Sequence, residues 1–180
     1  MIYDGLLKGQ KVNLRSLTVA DCEGPYLKWL NDPEINRYLE SRLSEQTPES
    51  TRRFVQHMRQ SQDNYFFAIV LKEDGRHVGN IKIGPIHPHY KNAFVGYMIG
   101  DKSCWGQGLA TEAIRLATRF CFDELCLHKV SAGVIAPNAG SIRALEKCGF
   151  RLEGTFRDEV LIDGKYEDTL RYGILKGELI

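Results

Sequence analysis

Ser103–Ile114 reads SCWGQGLATEAI. An apolar, strand-like run precedes it and a helix-like run follows it. Gly106 and Gly108 sit at the junction. A helix N-terminus has free backbone N–H groups and the positive end of the dipole, so it can receive an anion. Glycines there remove side chains that would hold a phosphate away from those groups. The dipole alone contributes about 0.3–1 kcal/mol at an exposed end. Useful affinity therefore needs several N–H contacts and burial of the rest of the ligand. Read alone, the two glycines fit a plain strand-to-helix turn equally well. A nucleoside-triphosphate loop would continue with Lys and Ser/Thr, but Gly108 is followed by Leu-Ala-Thr. A dinucleotide fingerprint needs a third glycine where Thr111 stands. What remains is a phosphate-bearing cofactor of another kind.

Outward from this turn the elements follow one another. Lys11–Leu17 alternates apolar and polar residues and predicts a first strand. Thr18, with Asp21 at its third position, caps a helix bearing Tyr26, Leu27, Trp29 and Leu30, which Asn31–Glu34 breaks. A short helical piece follows around Ile35–Leu39. Thr47-Pro48-Glu49 opens another helix, with Phe54, Val55 and Met58 on its apolar face. YFFAIVL from Tyr65, HVGNIKIGPI from His77 and AFVGYMIG from Ala93 are three strands in a meander, with a hairpin signal at Asp74–Gly75. The helix after the glycines runs to about Phe122. Lys129–Ala136 is a short buried strand. A helix from Asn138 is closed by Gly149 in a left-handed stop. Two last strands flank Asp163–Gly164.

The chain has 180 residues and a formal net charge of +1. That length supports one domain with a full core. The near-balance of charge argues against a bulk grip on nucleic acid or membrane. No apolar run reaches the roughly 18–20 residues of a membrane-spanning helix, and the N-terminus lacks a signal-peptide pattern. A cytoplasmic protein is expected. The five cysteines are odd in number and contain no C-x-x-C, so reduced, buried thiols are expected and no zinc site.

VGYMIGDKSCWGQGLATEAIRLA, followed some 30 residues later by NAGSIRALEKCGF, resembles the acyl-CoA-dependent N-acetyltransferases of the GNAT superfamily. The resemblance spans residues 1–180 as one domain. WLNDPEINRYL (Trp29–Leu39), EKCGF and LEGTFRD are similar to the branch of ribosomal-protein N-terminal and amino-sugar acetyltransferases. It implies a mixed α/β fold: a central, mostly antiparallel twisted sheet splayed into a V, with helices on both faces.

In the family the turn Q/R-x-x-G-x-G/A binds the pyrophosphate of coenzyme A through backbone N–H groups. Gly108 and Ala110 occupy its last two marked positions, and Trp105 stands where Gln or Arg is usual. The resemblance implies that Gln107, Gly108, Leu109, Ala110 and Thr111 line the phosphates. It implies that Met98, Ile99 and Gly100 meet the pantetheine arm, with the Ile99 N–H as oxyanion donor. Asn138 and Ser141 would face the arm from the following helix. Trp105 reads as packing under the turn, Glu112 as a complement to the helix dipole, and Cys104 as structural. The usual catalytic carboxylate position, three residues before Tyr97, is Phe94. The usual tyrosine acid position is Leu145, which leaves Ser141 as the thiolate's donor. Replacement bases are sought in Glu34, His87 and His89, and substrate contacts in Asn80 and Lys82. The expected activity is direct transfer of acetyl from acetyl-CoA, without a metal, to a primary amine: a small amine, an amino sugar or a protein N-terminus. The alternative is an acyl-CoA-binding sensor or scaffold. A homodimer is among the assemblies admitted.

Overall fold

The computed structural model describes the whole chain, Met1–Ile180. Its eight strands are β1 (Leu6–Lys8), β2 (Val12–Ser16), β3 (Tyr65–Leu71), β4 (His77–His87), β5 (Asn92–Ile99), β6 (Lys129–Ile135), β7 (Arg151–Ile162) and β8 (Lys165–Leu175). They form one sheet in the order β1-β2-β3-β4-β5-β6-β8-β7. Every neighbouring pair is antiparallel except β5–β6. The helices are α1 (Tyr26–Asn31), α2 (Pro33–Asn36), α3 (Pro48–Gln60), α4 (Leu109–Asp123) and α5 (Ala139–Glu146).

Most of these elements match the sequence patterns. Two do not. β1 has only three residues, too few for alternation to register. The single helix expected from Thr18 is two pieces: a 3₁₀ turn, Val19–Glu23, then α1. Gly24-Pro25 between them explains the break, because proline disfavours helical backbone in the residue before it. The expected short helix near Ile35 begins earlier, at Pro33. Asp32 caps it through its side chain, and proline takes the first turn, where no N–H is needed.

β3 is buried on both faces. On β3, Phe67, Ile69 and Leu71 join the core under α4, while Ala68 and Val70 join a second core with Tyr26, Trp29, Leu30 and Val55. That is why YFFAIVL reads as an unbroken apolar run instead of an alternation.

His77 sits at the edge of this second core, its ring edge-on to Trp29 with centroids 5.0 Å apart. Nδ1 lies 3.9 Å from Asp21, and Nε2 lies 2.8 Å from the amide oxygen of Asn80. Burial lowers the imidazole below its ordinary 6.5, against weaker upward pulls from Asn80 and Asp21 and with Arg15 nearby adding to the lowering. The folded state therefore binds a proton less readily than the unfolded chain. Stability is lost as pH falls below 6.5, by at most about 1.4 kcal/mol per pH unit. Urea midpoints taken between about pH 7.5 and about pH 5.5 should fall. The slope should flatten in His77→Gln.

One irregularity positions the site. β5 and β6 pair only at Asn92↔Lys129, Ala93↔Val130 and Phe94↔Ser131. Beyond Phe94, β5 stays paired to β4 as far as Ile99, and β6 stays paired to β8 as far as Ile135. The two strands diverge and leave a wedge.

Candidate active site

A cavity of about 620 Å³ occupies the wedge. The glycine turn, the first turn of α4, α5 and Glu34, Ile35, Arg37, Tyr38 and Leu39 line it. Gly106 and Gly108 have φ of 75° and 80°. A Cβ at either would meet nothing within 4 Å. Left-handed backbone, not crowding, is what requires glycine here. Gly108 is also the N-cap of α4, so the free N–H groups of the first turn open onto the cavity. Two ties hold the turn. The Lys11 ammonium donates to the Gln107 carbonyl at 3.0 Å, and the Glu112 carboxylate accepts from the backbone N–H groups of Gln10 and Lys11. Glu112 thus anchors the β1–β2 turn as well as facing the helix dipole.

Of the residues expected on the donor side, Met98, Ile99, Gly108, Leu109, Ala110, Thr111, Asn138 and Ser141 line the cavity. Gln107 and Gly100 do not. The Gln107 amide turns back to the Ser103 carbonyl at 2.7 Å. Gly100 packs against the Trp29 ring, which a Cβ would strike. Asn138 caps α5, its Oδ1 accepting from the Ser141 N–H at 3.1 Å. Arg143 and Lys147 add two cations without ion pairs along the same helix. Sequence reading missed them, although their i, i+4 spacing puts them on one helix face.

Hydrogen bonds orient the β5 edge. The Gly100 N–H donates to the Val78 carbonyl at 2.8 Å, toward β4. Backbone groups alternate sides along a strand, so those of Met98 also face β4 and those of Ile99 and Tyr97 face the wedge. The Trp105 indole confirms the direction, because Nε1 donates to the Ile99 carbonyl at 2.8 Å. Trp105 therefore holds the Ile99 peptide and is 41 % exposed, not packed under the turn. Trp105→Phe should lower kcat/KM for acetyl-CoA about fivefold to tenfold, the worth of one hydrogen bond. Steady-state kinetics over acetyl-CoA concentration check this.

Tyr97 was also missed. Its hydroxyl lies 2.6 Å from the Ser141 hydroxyl and donates to the Ser141 carbonyl at 3.2 Å, closing the wedge from β5 to α5. Burial, foremost, pushes its phenol well up, so it is a neutral donor. Cys104 lines the cavity too, but it is 4 % exposed and burial raises its thiol. That suits a packing residue and not a nucleophile.

On the acceptor side the structure corrects several expectations. His87 pairs with Asn92, at the end of β5 opposite the wedge, and His89 lies in the exposed turn beyond it. Neither lines the cavity, so neither is placed to act as a base. Glu34 does line it, but Lys102 holds its carboxylate at 2.6 Å and also reaches Asp32 at 2.8 Å. Asn80 is 3 % exposed beside His77, which removes it from substrate contact. Lys82 does not line the cavity, but shares the sheet face of Met98. No group of three or more His, Cys, Asp or Glu comes together that could hold a metal, and no helix is long and apolar enough to cross a membrane.

A family model described as an acetyltransferase (GNAT) domain matches residues 11–151. The chain belongs to the GNAT acetyltransferases. It is an acetyl-CoA-dependent N-acetyltransferase. It is 36% identical over 169 residues to the probable N-acetyltransferase YjcK of Bacillus subtilis (strain 168), covering 91% of this chain and 93% of that protein. It is 29% identical over 171 residues to the spermidine N(1)-acetyltransferase of Escherichia coli (strain K12), covering 94% and 88%. Among solved structures, its fold is like that of spermidine N-acetyltransferase from Vibrio cholerae in complex with CoA and spermine. There the TM-score is 0.84 at 23% identity, over 94% of this chain and 98% of that one. The GNAT fold accounts for the splayed sheet and for the helices on both faces.

Proposed function

We propose that this GNAT enzyme moves acetyl directly from acetyl-CoA to a primary amine, with both bound together and no acyl-enzyme. The observation that carries this is the wedge itself. It brings the glycine turn, the first turn of α4, α5 and the segment around Glu34–Leu39 onto one cavity, and the cysteine that lines it is buried, with its thiol pushed up by burial. The residues suit the donor. The N–H groups of the α4 first turn, with Arg143 and Lys147, suit its phosphates, and the wedge between β5 and α5 suits the pantetheine arm. The Ile99 N–H faces the wedge as a fixed donor to the oxyanion that forms when the amine adds to the thioester. One such donor commonly accounts for about 2.7–4 kcal/mol of barrier.

The proton inventory favours a simple route. The cavity is lined by no histidine and by one carboxylate, Glu34, which is ion-paired. The amine then enters already neutral, and its proton leaves through water. With acceptors of graded basicity, the rising limb of kcat/KM with pH should follow the amine's own pKa. A limb fixed at one pH for all amines would instead reveal a base on the enzyme. At the other end, Tyr97 and Ser141 return a proton to the departing thiolate.

The acceptor is tested by following thiol release over spermidine, amino sugars, amino acids and ribosomal-protein N-terminal peptides. Turnover that needs an amine supports the transferase reading. Tight acetyl-CoA binding with no turnover on any amine would make the domain a binding module.

A further inference from the structure

The acceptor approach carries unpaired positive charge. Lys82 lies opposite Gly96 on β4–β5, and residues 94, 96 and 98 share one face. From β8, the Arg171 guanidinium reaches that face, 4.5 Å from the Phe94 ring centroid and 5.5 Å from that of Phe156. The second core contains no residue of β6, β7 or β8. Neither cation has an ion pair, and the Arg171 Nε is buried without any partner. Nearby carboxylates are already engaged: Glu153 with Lys129 at 2.7 Å and Glu167 with Lys165 at 2.9 Å. A guanidinium held between two rings keeps its charge and loses little freedom when it binds. Lys82 lies opposite Gly96, and the Arg171 guanidinium stacks on Phe94, two residues further back along β5.

We infer that the acceptor is a small amine carrying an oxyanion, carboxylate or phosphate, on the far end of the molecule from its reactive nitrogen. Lys82 and Arg171 receive that group. The inference rests on the amine-transfer reading above and names the class of amine. A second positive charge on the acceptor would meet like charge here.

The test uses four primary amines on six-carbon chains: ε-aminocaproate, aminohexyl phosphate, hexylamine and hexamethylenediamine. The two anionic amines should exceed hexylamine in kcat/KM about tenfold, the worth of one charge-assisted hydrogen bond. Hexamethylenediamine should come last. The better of the two anions identifies the oxyanion. The ratio of ε-aminocaproate to hexylamine should fall toward unity in Arg171→Gln and Lys82→Gln, and Arg171→Lys should restore much of it. A diamine as good as the anions, or a ratio unmoved by either Gln variant, overturns the inference while leaving the transferase reading intact. Should none of the four release thiol, titration of each into CoA-saturated protein decides instead. Tighter binding of the anions supports the site, and equal binding overturns it.

Discussion

Gly108→Val is expected to raise the dissociation constant for acetyl-CoA by about 100-fold or more, as measured by isothermal titration. Gly108 has φ 80° and ψ 8° and caps α4. A β-branched residue in that conformation costs roughly 1–3 kcal/mol. Against a domain stability of roughly 5–15 kcal/mol, the fold survives. The turn, however, can relieve the strain by rotating its peptides, and that swings N–H groups off the phosphate. Losing two charge-assisted hydrogen bonds at about 1.5–3 kcal/mol each gives the expected loss in affinity. Gly177→Val separates the two effects. Gly177 has φ 101°, open space around it and no place in the wedge. It should lower the thermal midpoint comparably and leave acetyl-CoA affinity alone. Equal affinity losses in both variants would mean that the Gly108 result reports stability only.

The local chemistry of that turn was legible in the sequence because every part of it is local. A left-handed glycine, an N-cap and a first helical turn lie within a few residues of one another. The same holds for Asn138 capping α5, for Gly149 at φ 94° and for the Asp163–Gly164 hairpin. What could not be read was register and long reach. His87 seemed close to the wedge because its turn adjoins β5, but a strand has two ends and pairing with Asn92 put it at the wrong one. Trp105 looked like a packing residue because its partner is a backbone carbonyl, which leaves no trace in residue types. Arg171 meets Phe94 across 77 intervening sequence steps, through a strand order that inserts β8 beside β6. Residue types alone do not disclose such a pairing.

Tyr97 is the consequential omission, because its side chain ties β5 to α5 across the wedge. The Tyr97 and Ser141 hydroxyls are 2.6 Å apart, and burial keeps the phenol neutral throughout the working pH range. Such a pair can hand one proton to a thiolate and regain it from water. A positioned acid commonly contributes about 10²–10⁴-fold. A thiolate is a good leaving group, with a thiol pKa of about 8.5, so the lower end applies. Tyr97→Phe and Ser141→Ala should each reduce kcat about 30-fold to 100-fold with less change in KM, because the donated proton matters after binding. The double variant should lose little more than either single one, since each hydroxyl acts through the other. Acetyl donors with more acidic thiols supply the decisive control. If proton return is the role, a better leaving group should restore much of the lost rate in both variants. An unchanged deficit with every donor would reduce Tyr97 and Ser141 to a strut between β5 and α5.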